Sequence, residues 1–212
     1  MRYIIMCGGD YYSWRWPRQL TGINGESIVA RTIRLLRGNG VQDIAISSNN
    51  PIFEQFGLPV LRHENRYEAV GSHITAGEWF EAFYPTTDPV CYIFGDVVFS
   101  PEAIKTIVQA ETESIRFFAS APPFAPEYPK QWAEPFALKV QNTEWLWNGI
   151  EEVRKLEADG QYIRKPIMWE LWSAITGGDP NTIDYNSYTA INDYTCDIDD
   201  PGDIQKIRQF IR

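Results

Sequence analysis

Histidine is nearly missing from this chain of 212 residues: only His63 and His73 occur. A zinc centre built on several imidazoles is therefore not expected. Cysteine is scarce as well. Cys7, Cys91 and Cys196 are odd in number, far apart and form no CxxC pair. That pattern speaks for a reducing compartment and against a disulfide framework. Positive charge is in deficit, with 19 Lys and Arg against 28 Asp and Glu and a formal net charge of −9. An acidic surface repels phosphate backbones, so nucleic acid and anionic membranes are not expected partners. A small anionic substrate remains compatible where local arginines or a metal offset the field. No apolar run is long enough to cross a bilayer, and the opening stretch MRYIIMCGGD is too short for a signal peptide. The expected location is the cytoplasm. Repeats and low-complexity segments are absent too.

What is present is a chain with 44% hydrophobic residues, enough for one domain with a sizeable core. Tyr3 to Cys7, Asp43 to Ser48, Leu58 to Leu61, the all-apolar Val90 to Phe94 and Arg116 to Ser120 read as strands. Between them, helical spacing predicts helices over Glu26 to Arg37, Ser72 to Tyr84 and Pro101 to Gln109, with a short one after Pro51. Strands alternating with helices predict a mostly parallel sheet covered on both faces. From Pro122 prolines cluster. "PFALKV" then reads as a strand, Thr143 to Ala158 and Lys165 to Thr176 as helices, and Gly202 to Ile211 as a final helix. Residues 1–212 are expected to form one domain, with 122–190 as an insert or lid on its acceptor side.

Sheets of this kind bind ligands beyond the carboxyl ends of their strands. Gly8-Gly9 and Gly95-Asp96 both lie at such ends. Glycines after a strand let backbone N–H groups approach a phosphate. Arg15 and Arg18 follow in one aromatic loop, beside Pro17, and guanidinium forks match phosphate oxygens. Asp96 follows a buried strand and is not needed to cap the next helix, which has its own Ser100-Pro101 start. Its hard oxygens suit Mg²⁺. In "TCDIDDPGDIQKI", Asp200 and Asp203 are explained by the helix they open. Asp197 and Asp199 alternate along extended chain and share a side, so one of them, with Asp199 preferred, could complete a magnesium site with Asp96. Gly71-Ser72 opens a helix where N–H groups and a hydroxyl could meet a base edge or phosphate, or simply cap. Glu134 is a candidate acceptor contact or a surface charge. The late tryptophans, among them Trp169 and Trp172, are expected in the core.

Taken together, these motifs resemble the nucleotidyltransferases of GT-A-like fold: sugar-phosphate nucleotidyltransferases, MobA-like transferases and phosphocholine cytidylyltransferases. The resemblance covers residues 1 to about 120 and 190–212. It implies a three-layer, Rossmann-like α/β/α fold. Cys7-Gly8-Gly9, Arg15 and Pro17-Arg18 stand where the family has its glycine-rich, arginine and Pro-Lys signature. Asp96 and Asp199 stand at its two metal positions, with Asp197 an alternative. The implied reaction transfers a nucleoside monophosphate from a triphosphate to a small phosphorylated acceptor, with Mg²⁺ and release of pyrophosphate. Cys7, Gly8, Gly9, Arg15, Arg18, Gly71, Ser72 and Asp96 would contact the nucleotide. CTP is mildly preferred, and a role in capsule or surface polysaccharide synthesis fits the acceptors. A homodimer is compatible. Two other readings stand beside this one: a GT-A glycosyltransferase consuming a nucleotide sugar, for which Asp197-Ile198-Asp199 has the spacing, and a non-catalytic nucleotide-binding module.

Overall fold

The computed structural model describes residues 1–8, 16–63, 80–120, 133–184 and 187–211. In chain order its elements are β1 (Arg2–Met6), a 3₁₀ turn (Arg18–Leu20), the hairpin β2 (Gly22–Ile23) and β3 (Glu26–Ser27), α1 (Ile28–Gly38) and β4 (Ile44–Ser47). A 3₁₀ helix (Pro51–Phe56), β5 (Val60–Leu61), β6 (Val90–Phe94), β7 (Val97–Val98), α2 (Pro101–Gln109) and β8 (Ile115–Ala119) follow. The chain ends with β9 (Pro135–Val140), α3 (Thr143–Ala158), α4 (Met168–Thr176), β10 (Thr189–Ala190), β11 (Cys196–Asp197) and α5 (Pro201–Arg208). The helix expected over Ser72 to Tyr84 falls largely outside the described residues.

Seven strands form the central sheet in the order β10-β8-β9-β6-β1-β4-β5. β1 pairs in parallel with β4 and β6, β4 with β5, and β8 with β10; only β9 runs antiparallel, between β6 and β8. The mostly parallel sheet flanked by helices is the fold class expected from the alternation of strands and helices. Its central strand β6 is apolar throughout because both faces are covered: every residue of β6 is buried. The 122–190 segment is not simply laid over the sheet, since β9 is one of its inner strands. Chain direction reverses its exit at β1. The connection after β1 leads to β4 on one side, whereas β5 leads back to β6 on the other. The crevice between the carboxyl ends of β1 and β6 is thus the switch point where such sheets take ligands.

Local chemistry accounts for the helix boundaries. Ser27 caps α1, Asn142 caps α3 and Asp200 caps α5 through side-chain oxygens that accept backbone N–H groups. Trp169 and Trp172 are buried against Phe117 of β8, with ring centroids 5.1 and 5.4 Å away. They belong to the core, as helical aromatics usually do.

A second, smaller apolar cluster lies apart from the main core. Ile23, Ile28, Val98, Cys196, Ile198, Ile204, Ile207 and Ile211 make it up. It holds β11 against β7 in a separate antiparallel pair, with Cys196 opposite Val98 and Asp197 opposite Val97. Ser100 reinforces this junction. Its hydroxyl accepts from Ala103 N–H at 2.9 Å to cap α2 and donates to Asp193, while its own N–H donates to Thr195 Oγ1 at 3.0 Å. Replacing Ser100 with Ala should therefore cost about 1–2 kcal/mol in chemical denaturation, the upper range for a lost cap. A loss within a few tenths would show that the ties to 193–195 contribute nothing.

Candidate active site

At the carboxyl edge, β1 and β6 run side by side with Met6 opposite Phe94. Cys7-Gly8 and Gly95-Asp96 therefore emerge next to each other. The contact is tight: Gly95 N–H donates to the Met6 carbonyl at 3.0 Å, and a Cβ at Gly95 would lie 2.4 Å from that oxygen and 2.7 Å from Cys7 Sγ. Only glycine lets the two strand ends approach so closely.

Cys7, read from the sequence as part of the phosphate mouth, is tied into the sheet. Its N–H donates to the Ser47 carbonyl at 2.8 Å and its carbonyl accepts from Ser48 Oγ at 2.8 Å. Both main-chain groups are spent on the sheet. Its thiol is pushed well above its usual range, first by burial and then by the charge of Asp96, so it is no nucleophile either. Gly8 is the first residue past the sheet. Its backbone lies on the imidazole of His63, whose Cε1 and Nε2 would be 3.1 Å from a Cβ placed there. His63 was not legible as a neighbour of the glycines, because 55 residues of sequence and two strand crossovers separate them. Gly9, Arg15, Gly71 and Ser72 lie outside the described residues.

Arg18 opens the 3₁₀ turn after Pro17 and is buried, with 7% of its side chain exposed. Its Nη2 pairs with Asp96 Oδ2. Its Nη1 donates to Asp199 Oδ1 at 2.8 Å and to the Ile198 carbonyl at 3.2 Å. One guanidinium thus spans two carboxylates that are 103 residues apart in the chain. Asp199 arrives there because Ile198 is pinned in the small apolar cluster and donates its N–H to the Asp96 carbonyl at 3.1 Å. With Cys196 and Ile198 buried on one side, Asp197 and Asp199 fall on the other, as their alternation predicted. Asp200 and Asp203 form the capping box of α5 and play a structural part.

The carboxylates repel one another. Asp96 is raised above its ordinary range by burial foremost; Arg18 opposes the shift and Asp197 adds to it. Asp199, half exposed, is raised by burial and then by Asp197, again against the pull of Arg18. Glu134 is a fourth carboxylate at this place. It is no surface charge, because it is 1% exposed and its Oε2 accepts from the Asp197 N–H at 3.1 Å. Ser120 N–H donates to the Glu134 carbonyl at 2.9 Å, anchoring it beside β8. Glu134 therefore orients the strand that carries Asp197. Truncation to Ala should lower turnover about 10- to 100-fold, as loss of a supporting partner does at metal sites, with Glu134→Gln retaining most of it. Equal turnover in wild type and Ala variant would refute that role.

Among the described residues, no three His, Cys, Asp or Glu side chains form a metal-binding group. Mg²⁺ needs fewer: it commonly takes one or two carboxylates and completes its shell with water and substrate phosphates. Asp96 and Asp199 supply two hard donors around a single cation, with the charge of Asp197 beside them. The donor chemistry fits magnesium.

No helix among the described residues is long and apolar enough to cross a membrane. None of the curated proteins matches this sequence. Among solved structures, the chain is similar to a Bacillus anthracis protein provisionally assigned as a glucose-1-phosphate thymidylyltransferase, in complex with sucrose. That match has 15% identity and a TM-score of 0.58, and covers 99% of this chain and 94% of the other. It is likewise similar to the inositol-1-phosphate CTP transferase of T. maritima, at 14% identity and a TM-score of 0.57, covering 100% and 97%. At such identities the likeness speaks for the fold. The family model of the MobA-like NTP transferase domain matches residues 3–168, which include Gly8, Arg18, Asp96 and Glu134 and stop short of Asp197 and Asp199. That match takes in most of the chain, and the protein belongs to the MobA-like NTP transferase family: it is a nucleotidyltransferase.

Proposed function

We propose that this enzyme transfers a nucleoside monophosphate, with CTP the preferred donor, to a small phosphorylated acceptor and releases pyrophosphate. The observation that carries the reading is the meeting of Asp96, Asp199 and Arg18 at the switch point beside Gly8. The names of the two similar structures, which involve glucose-1-phosphate and inositol-1-phosphate, favour a sugar or cyclitol phosphate as acceptor. Phosphocholine is a related candidate, and surface polysaccharide synthesis a compatible use.

An acceptor phosphate oxygen attacks the α-phosphorus of the triphosphate. A new phosphorus–oxygen bond forms, the bond to the bridging α–β oxygen breaks, and pyrophosphate departs. The acceptor phosphate is already ionised near neutral pH, so no general base is required. This agrees with the buried, raised thiol of Cys7, which could not act as one. The Gly8 main chain lies at the strand end where it can face phosphate, and Arg15 and Arg18 hold phosphate oxygens. Asp96 and Asp199 would hold magnesium, which when bound supplies charge neutralisation on those oxygens. Glu134 and the cluster around Ile198 keep the carboxylates in place. Residues 122–190 contribute the acceptor side.

A screen of the four triphosphates with Mg²⁺ by thermal shift identifies the donor, since a ligand that binds the native state raises Tm. Pyrophosphate release on adding glucose-1-phosphate or inositol-1-phosphate then tests the reaction. Release of nucleoside diphosphate from a nucleotide sugar, with no pyrophosphate formed from any triphosphate, would replace this reading by a glycosyltransferase.

A further inference from the structure

We infer that Arg18 is the resting enzyme's internal counter-ion: it occupies the Asp96–Asp199 pair in place of a metal and is exchanged out when the metal–triphosphate complex binds. The inference rests on the reading of those two aspartates as the metal ligands.

The same carboxylate oxygens cannot serve a guanidinium and a divalent ion at full strength. Arg18 now engages Asp96 with one terminal nitrogen, and Asp199 and the Ile198 carbonyl with the other. Its side chain is 7% exposed, so this is an interior contact and not a surface pairing of little consequence. Two neighbouring carboxylates, one of them only 14% exposed, carry a large desolvation cost unless a cation offsets it. The planar fork of arginine suits the task, since separate nitrogens reach separate acids; a lysine is a single point of charge.

A metal arriving alone displaces Arg18 from Asp96 and Asp199 and brings the guanidinium no anion in exchange. A metal arriving with a triphosphate brings the partner along, because phosphate oxygens pair with guanidinium at least as well as carboxylates do. The exchange keeps every charge matched before and after. Metal and triphosphate therefore bind with positive coupling, and each raises the affinity for the other. The device also keeps the free enzyme from holding a metal to no purpose.

The test uses MnCl₂ alone as probe, with free Mn²⁺ counted by electron paramagnetic resonance, on the full chain. Removing the competitor in Arg18→Gln should tighten Mn²⁺ binding about tenfold or more, within the usual span of such couplings. Arg18→Lys should tighten it by a smaller factor, and it keeps the experiment decisive should the Gln variant not fold. Affinity equal to or weaker than wild type in whichever variant folds would overturn the exchange, leaving Arg18 as a fixed tie. Adding Asp96→Asn to the folded Arg18 variant separates the two layers. If that change weakens Mn²⁺ binding while the Arg18 variant alone did not tighten it, the exchange fails and the metal reading stands. If Asp96→Asn has no effect on Mn²⁺, the metal reading itself fails.

Discussion

Asp96→Asn is expected to cut pyrophosphate release by about 1,000-fold, because the several kcal/mol a metal contributes to the transition state correspond to that factor. Asp96 is the more buried member of the pair, delivered by the end of a strand whose residues are all buried. Asn has nearly the same shape and keeps one oxygen, but it loses the charge. The fold should hold, since Arg18 retains Asp199 and the Ile198 carbonyl, and the substitution removes one of several mutually repelling acids. Asp199→Asn should cost less. Asp199 is half exposed and Asp197 stands beside it, facing the same way. Steady-state turnover at saturating triphosphate, with circular dichroism as the check on folding, decides it. An Asn variant that turns over like wild type would remove Asp96 from the chemistry.

Gly95→Ala should damage stability and activity together. A methyl group there would sit 2.4 Å from the Met6 carbonyl oxygen and 2.7 Å from Cys7 Sγ. The first obstacle is backbone at the end of a parallel pair, which cannot rotate away as a side chain would. Overpacking of this kind costs about 1–3 kcal/mol, read as a lower denaturant midpoint at unchanged slope. Relief comes only by parting the ends of β1 and β6, and that moves Asp96 away from the glycine-lined mouth. A displacement near 1 Å lowers turnover by roughly 100-fold. Gly8→Ala is milder, since its Cβ would meet side-chain atoms only, His63 at 3.1 Å and Ala82 at 3.3 Å. If Gly95→Ala left both midpoint and turnover intact, the close approach of the strands would be irrelevant to the site.

Several elements were legible residue by residue. Val90–Phe94, Pro101–Gln109 and Thr143–Ala158 appear with the bounds their patterns predicted. Each is long enough for its apolar period to show, and two of the three carry a side-chain cap at the start. The pair β7 and β11 was not legible. Two residues give no period, so Val97–Val98 and Cys196–Asp197 look like the tail of one strand and the approach to a helix. Yet this pair, with the small cluster around Ile198, is what carries Asp199 to Asp96. Glu134 misled for a related reason: a glutamate beside prolines reads as surface, and its use of the Asp197 N–H depends on chain that lies 63 residues further on.

The residues alone determined the longer helices and strands, that most strands run parallel, and that glycine and aspartate stand at strand ends where a ligand can reach them. Periodicity, caps and the stiffness of particular side chains are local, and local rules are written into neighbouring residues. Which acids meet, that Arg18 lies between them instead of facing solvent, and that Cys7 is spent on the sheet were decided only by the tertiary structure. Those outcomes depend on burial and on charges brought together from distant parts of the chain, and no stretch of sequence contains the distance between them.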